Sequence, residues 1–306
     1  MQDGRDKERV KRGMENTYHF YDDYDYPVID TTDLMPRETA EKIIEMIKCE
    51  SVQLLQDGKD KFSVHFNQQT VGSLETYENE FHKGNCYVKF ELERYDKAFA
   101  REIFDLLQKH IERPFQVMLS SKEEEKIAFL EKVGFECKRK CYELCVTENG
   151  LCDTENVDDA RKAVHTEAND RFMRCHKDSE QYELCARFLY EYYARVHEAI
   201  NPLTASYEDF LKLLPEEVYY ESDDSEIRHI VFVEENEIAY VGSRDQSDFK
   251  RFITGVVLDL FEKYEELFFE CDDCDEAAMM LKDLFEVELD DSYNTYVRKV
   301  TGNGEI

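Results

Sequence analysis

Cys271 and Cys274 enclose two aspartates as C-D-D-C, the spacing of half a zinc site or of a redox pair. Neither a second such pair nor a His pair accompanies them, and the aspartates suit a helix N-terminus, so a structural role and no metal site are expected. Cys137, Cys141 and Cys145 recur every four residues in an alternating run, which sets them on one strand face as buried small apolar groups. Glu91 and Glu93 alternate against Phe90, and a carboxylate so placed can take a proton from an amine. The plainer expectation for both is solvated strand acids. His65 and His229 lie at matching levels of strand-like runs, as satisfied edge residues or facing a cleft. Phe188, Tyr190, Tyr192 and Tyr193 follow one another in a long helical stretch, where core packing is expected ahead of lining an acyl or amine pocket.

Charge limits the partners. The 306 residues carry 39 Lys plus Arg and 70 Asp plus Glu, a net charge of −31. Such a surface repels polyanions, so nucleic acid is not expected, whereas an acidic cleft attracts a cationic amine. The charge is uneven: residues 151–306 hold 16 basic and 39 acidic residues, net −23, and the first 150 hold 23 and 31, net −8. No run is long and apolar enough to span a membrane, residues 1–13 have no signal-like apolar core, and the ten cysteines follow no compact disulfide pattern. A cytoplasmic protein with reduced thiols is expected.

The elements that must position these groups come in a repeated order. A polar, Tyr-Asp-rich arm is expected over 1–34, with Tyr18 to Ile29 as its aromatic part. A helix follows Met35, with Pro36 in its first turn and Ala40, Ile43, Ile44 and Ile47 on one face. Strands are read at KFSVHF, TVGSLETY and NCYVKFELE, then a helix from Asp96 that Pro114 ends, the strand FQVML, a helix over 122–132 stopped by Gly134, and the strand ECKRKCYELCV. After Asn149-Gly150 the order returns. Helices are read over 181–200 and 207–213, strands at EEVYYES, IRHIVFVEE and EIAYVGS with ESDDSE as a hairpin turn, a helix over 249–264, strand ELFFE, a helix over 275–284 and a last strand SYNTYVRKV. Asp105-Leu106-Leu107 aligns with Asp259-Leu260-Phe261, and FLEKVGF with MLKDLF.

KAFAREIFDLL, FQVML and then KIAFLEKVGF with a closing strand resemble the core of the GCN5-related N-acetyltransferases (GNAT). The resemblance covers about 62–146 and, more weakly, 218–300. It implies an α/β (α+β) fold of tandem GNAT-like domains, each a mixed, mostly antiparallel sheet flanked by helices, with a first domain over 35–149 and a second over 150–306.

The same resemblance implies acetyl-CoA or another acyl-CoA as cosubstrate, a small-molecule or protein amine as acceptor, and a phosphate loop of pattern Gln/Arg-x-x-Gly-x-Gly/Ala. Backbone N–H groups at a helix start must approach a pyrophosphate there, which favours small residues. In the first half the pattern falls on Tyr95, Asp96, Lys97, Ala98, Phe99 and Ala100, flanked by Leu92, Arg94 and Arg101, with Glu91 as candidate base. In the second half it falls on Phe249, Phe252 and Thr254, with Arg244, Lys250 and Arg251 alongside, and phenylalanine in place of glycine blocks phosphates. The family's proton-donating Tyr is Leu130 here and Leu281 in the repeat, and an Asn often seven residues earlier is Glu123 and Cys274. Two functions follow: an N-acyltransferase working in the first half, or a catalytically inactive module of the same fold that binds a small molecule or protein.

Overall fold

The computed structural model describes residues 34–50, 52–95, 97–152, 172–224 and 226–300. The expected arm falls almost wholly outside them. Among the described residues, 34–50 with 66–68 form one compact unit and the rest a second. In the first, helix α1 (Pro36–Glu50) begins at the expected proline, and Met35 N donates to Glu38 Oε2 at 2.8 Å. Its expected apolar face is exposed at Ile43 and Ile44.

The second unit repeats one pattern twice. The first half runs β1 (Gln53–Gln56), β2 (Lys61–Phe66), β3 (Gln69–Tyr77), β4 (Cys86–Leu92), α2 (Lys97–Gln108), β5 (Phe115–Ser120), α3 (Glu124–Lys132) and β6 (Glu136–Thr147). The second runs β7 (Met173–His176), α4 (Glu180–His197), α5 (Tyr207–Lys212), β8 (Glu217–Asp223), β9 (Glu226–Glu234), β10 (Glu237–Ser243), α6 (Gln246–Phe261), β11 (Glu266–Asp272), α7 (Glu276–Lys282) and β12 (Tyr293–Arg298). Only the four-residue strands β1 and β7 were not legible. QLLQ and MRCH are too short to show a period, and each pairs with one neighbour alone.

Turn and cap chemistry set these boundaries. Gly134 takes φ +87°, and Phe135 N reaches back to Leu130 O at 3.0 Å, a left-handed cap that ends α3. Ser179, Ser206, Asp245 and Asp275 each accept a backbone N–H at the start of α4, α5, α6 and α7.

All twelve strands join one mixed sheet in the order β1-β2-β3-β4-β5-β12-β6-β11-β10-β9-β8-β7. β1–β2, β3–β4 and the other neighbours from β5 to β7 pair antiparallel except β10 with β11, which like β4 with β5 is parallel over two register pairs: Cys86↔Phe115 and Tyr87↔Gln116, then Glu237↔Phe268 and Ile238↔Phe269. Beyond those pairs the strands part. The halves also exchange their last strands, so that β12 lies between β5 and β6 while β6 pairs with β11. This is the mixed, mostly antiparallel α/β sheet flanked by helices that the sequence predicts.

Gly72 has a packing reason. A Cβ there would stand 2.3 Å from the backbone oxygen of Glu91 and 2.7 Å from Leu92 Cδ2. Gly72→Ala is therefore expected to lower stability by at least about 2 kcal/mol by forcing β3 from β4. A denaturant midpoint equal to that of the wild type would refute this.

Candidate functional site

The two strand partings hold different contents. In the first half Phe90 of β4 stacks on Phe129 of α3 at 5.7 Å between ring centres, and Tyr95 meets Phe129 edge-on at 5.2 Å. Lys126 of α3 crosses to β4, its Nζ 2.7 Å from Glu91 Oε1 and 2.9 Å from Glu123 Oε1. Burial pulls the Lys126 ammonium down, but its hydrogen bonds to Glu91 and Glu123 outweigh this and hold it up at about 12. Glu91 is thus an exposed strand acid engaged by a lysine. Glu93 is exposed and Leu92 buried. Lys97 to Arg101 form the opening of α2, directly after β4; Asp96 and the side chains of Lys97, Ala98, Phe99, Ala100 and Arg101 lie outside the described residues.

The second-half loop is placed differently from the sequence expectation. Phe249, Phe252 and Thr254 are buried inside α6, where the phenylalanines pack around His229. Matching the helices by their Asp-Leu-Leu and Asp-Leu-Phe ends misplaced the loop because α6 has 16 residues against 12 in α2, and its extra length lies at the start. The residues that leave β10 are Arg244, Asp245 and Gln246. There the Asp245 carboxylate accepts from Ser247 N at 2.9 Å and stands 3.3 Å from Arg228. Hydrogen bonds from Ser247 hold the Asp245 carboxyl below its ordinary value. A fixed anion thus occupies the helix start that would receive a phosphate. Arg251 is bound to both carboxylate oxygens of Glu221, at 2.8 and 2.9 Å.

Where β10 and β11 part there is a cavity of about 680 Å³. Three adjacent strands supply carboxylates to it: Glu143 from β6, Glu270 from β11 and Glu237 from β10. Glu143 and Glu270 are cross-strand partners, and Glu237 is in register with Phe268, two residues before Glu270. None of the three has a cationic side chain within ion-pair distance among the described residues. Burial, then repulsion by Glu143 and Asp272, pushes the Glu270 carboxyl up.

Tyr192, Tyr193, Tyr240 and Tyr293 complete much of the wall. Tyr192 donates to Asp275 Oδ1 at 2.5 Å, and Asp275 caps α7 through Ala277 N and Ala278 N. The lining's one basic side chain of full charge, Arg139, is spent: Nη1 donates to Asp272 Oδ2 at 3.0 Å and Nη2 to Thr295 Oγ1 at 3.3 Å. Burial pulls the His197 imidazole, 3.3 Å from Arg139 Nη1, down to about 4, so it adds no charge at neutral pH. A hollow of about 330 Å³ adjoins at Tyr192 and Val196, reaching Ser243, Arg244 and Gln246.

None of the described residues expected to bind CoA lines this cavity. Of the aromatic run, Tyr192 and Tyr193 do, while Phe188 and Tyr190 pack elsewhere in the core. His229 is fully buried, with Nδ1 2.9 Å from Ser243 Oγ; His65 is 3.0 Å from Ser63 Oγ. The cysteines depart from expectation. Of the three in β6 only Cys141 is buried, beside Glu270; a bulge between Cys137 and Arg139 shifts Cys137 off the face of Cys141, and Cys145, in unbroken register with Cys141, is exposed nearer the end of the strand. Cys271 belongs to the core and Cys274 is exposed.

Arg139, Glu143, Glu237, Tyr240 and Glu270 were not singled out from the sequence. Glu270, between Phe269 and Cys271, holds the polar place of an alternating strand, so its position gives no signal in the sequence.

Neither a protein-family model nor a curated protein matches the chain. Among solved structures it is similar to a GCN5-related N-acetyltransferase from Sphaerobacter thermophilus, at 11% identity over 89% of each chain with a TM-score of 0.47. It is similar to a conserved protein of unknown function from Enterococcus faecalis V583, described as a probable N-acyltransferase, at 11% identity over 97% of this chain and 71% of that one, TM-score 0.44. A tandem GNAT protein from the clavulanic acid biosynthesis pathway is similar at 9% identity over 83% and 85%, TM-score 0.42.

Proposed function

We propose that this chain is a tandem protein of GNAT-like fold, with domains over 35–149 and 150–306 that exchange their last strands, and that its second-half cavity holds a small organic cation, an amine. The observation that carries the reading is the trio Glu143, Glu237 and Glu270, facing one cavity in which Arg139, the one guanidinium among the described lining residues, is already paired. A group of carboxylates without cationic partners draws in positive charge and disfavours phosphates. The capping Asp245 adds to that exclusion, so the second half does not fit CoA.

Calorimetry with 1,5-diaminopentane tests this. Binding is expected for the diamine and not for 1,5-pentanediol, and Glu143→Gln/Glu237→Gln/Glu270→Gln is expected to weaken it by about 100-fold or more. Equal affinity for diamine and diol would sink the reading.

Acyl transfer from acetyl-CoA to an amine in the first half is the second reading. It is favoured by the parting of β4 from β5 after Tyr87 and Gln116, with α2 opening directly beyond β4. Lys126 on Glu91 opposes it, so release of that lysine is required. Mass spectrometry of an amine incubated with acetyl-CoA and the Lys126→Ala chain distinguishes the two readings: amide formation supports transfer, and none leaves the inactive module.

A further inference from the structure

The loop between β3 and β4, residues 78–85, reaches into the second half. Phe81 O accepts from Thr204 N at 2.7 Å and from Ala205 N at 3.2 Å, and Lys83 N donates to Thr204 Oγ1 at 2.9 Å. Phe81 also meets Phe210 edge-on at 5.8 Å. At the centre of the contact His82 is 6% exposed.

The hydrogen bonds fix the protons. His82 Nδ1 is 3.3 Å from Pro202 O, which can only accept, so this nitrogen donates. Its Nε2 then accepts the Tyr193 hydroxyl proton at 3.0 Å. Tyr193 stacks on His197 at 3.9 Å between ring centres, and His197 is 5.4 Å from His82. His197 Nδ1 donates to Tyr193 O at 3.0 Å, which leaves Nε2 to accept from Arg139 Nη1 at 3.3 Å. Both imidazoles are therefore neutral in this arrangement.

A proton on either ring breaks it. On His82 it would make Nε2 a donor to the Tyr193 oxygen and turn the hydroxyl proton away from the ring, where it has no other acceptor among the described residues. On His197 it would set a second cation against Arg139, with the Asp272 carboxylate, 3.8 Å from His197 and 3.0 Å from Arg139, shared between them. The other titratable groups facing Tyr193 are Tyr87 of β4 and Tyr240 of β10, both uncharged when protonated. No second carboxylate is among the groups acting on either histidine.

We propose that protonation of His82 and His197 releases residues 78–85 from Tyr193 and opens the wall of the second-half cavity, so that the junction between the halves is acid-labile. Tyr193, His197, Arg139 and Asp272 all line that cavity. The opening stands on this geometry alone, and only its effect on ligand affinity rests on the amine reading. Burial lowers the value of both histidines, His197 to about 4. The linkage sign follows: the unfolded chain binds these protons more readily, so the junction is intact above the unfolded value of about 6.5 and weakens as pH falls toward the folded values.

Hydrogen exchange of the full chain at about pH 7 and about pH 5, corrected for intrinsic rates, tests it. The amides of Lys83, Thr204 and Ala205 are expected to lose protection by about tenfold or more at the lower pH, each unit of histidine shift being worth a factor of ten, while β9 and α6 keep theirs. His82→Gln/His197→Gln, whose amides do not titrate, is expected to remove the pH dependence. Equal protection at both pH values, loss spread evenly over β9 and α6, or a pH-dependent loss kept in the double variant overturns the proposal. If the variant does not fold, the wild-type histidine ring resonances decide: they must titrate with the Lys83 amide, and a separate midpoint overturns it.

Discussion

A chain ended at Asp291 is expected to lose cooperative folding throughout the sheet, and a synthetic peptide of residues 292–300 added in trans is expected to restore it. The reason is the position of β12. Its six residues pair with β5 from Tyr293↔Ser120 to Arg298↔Phe115 and with β6 from Tyr293↔Cys141 to Val297↔Glu136. Removing it leaves two central strand edges with unpaired N–H and C=O groups, in place of one solvated rim. It also withdraws Tyr296 and Val297 from the core, each worth about 1.5–3 kcal/mol, from a fold whose total stability is of order 5–15 kcal/mol. Arg298, almost fully buried and bound to Asp105, would leave α2 without that tie. Circular dichroism with denaturant reads the result. A truncated chain that unfolds in one sharp transition near the wild-type midpoint would show that β12 is dispensable.

Arg139→Ala is expected to lower stability by about 3–5 kcal/mol, because it removes one partner of a largely buried ion pair and leaves the other without its cation. Asp272 would then share the cavity with Glu143, Glu237 and Glu270 and no guanidinium. Arg139 also holds Thr295 of β12 and faces His197 of α4, so one side chain of β6 ties three other elements. Arg139→Ala/Asp272→Ala is expected to recover most of the loss, since the carboxylate goes with its partner. Chemical unfolding of both chains gives the comparison. A single variant within about 1 kcal/mol of the wild type would place the pair among the weak, solvated kind.

What reading the residues in order revealed follows from local physics. Alternation at KFSVHF and the 3.6-residue stripe of Ile103 and Leu107 each report which side of an element meets the core, and these elements formed where the pattern placed them. Gly134 ended its helix because its left-handed φ is a local need. The second-half loop was misplaced for a local reason too: helix stripes align by period, and α6 carries an extra turn at its start. The bulge in β6 gave no sign in sequence, since one unpaired residue is decided by the strand opposite.

The sequence by itself therefore determined most of the element order, the twofold repeat and the excess of acid in the second half. Tertiary structure alone decided that the two halves trade their last strands, because pairing partners so distant in the sequence leave no local trace. It also decided where the acids matter. Glu237 and Glu270 lie on β10 and β11, which pair within the second half, but Glu143 joins them on β6 only through that exchange, and the same exchange brings Arg139 against Asp272. Charge composition is a sum over residues, whereas a site is a convergence of them, and only the folded backbone sets which side chains share one cavity.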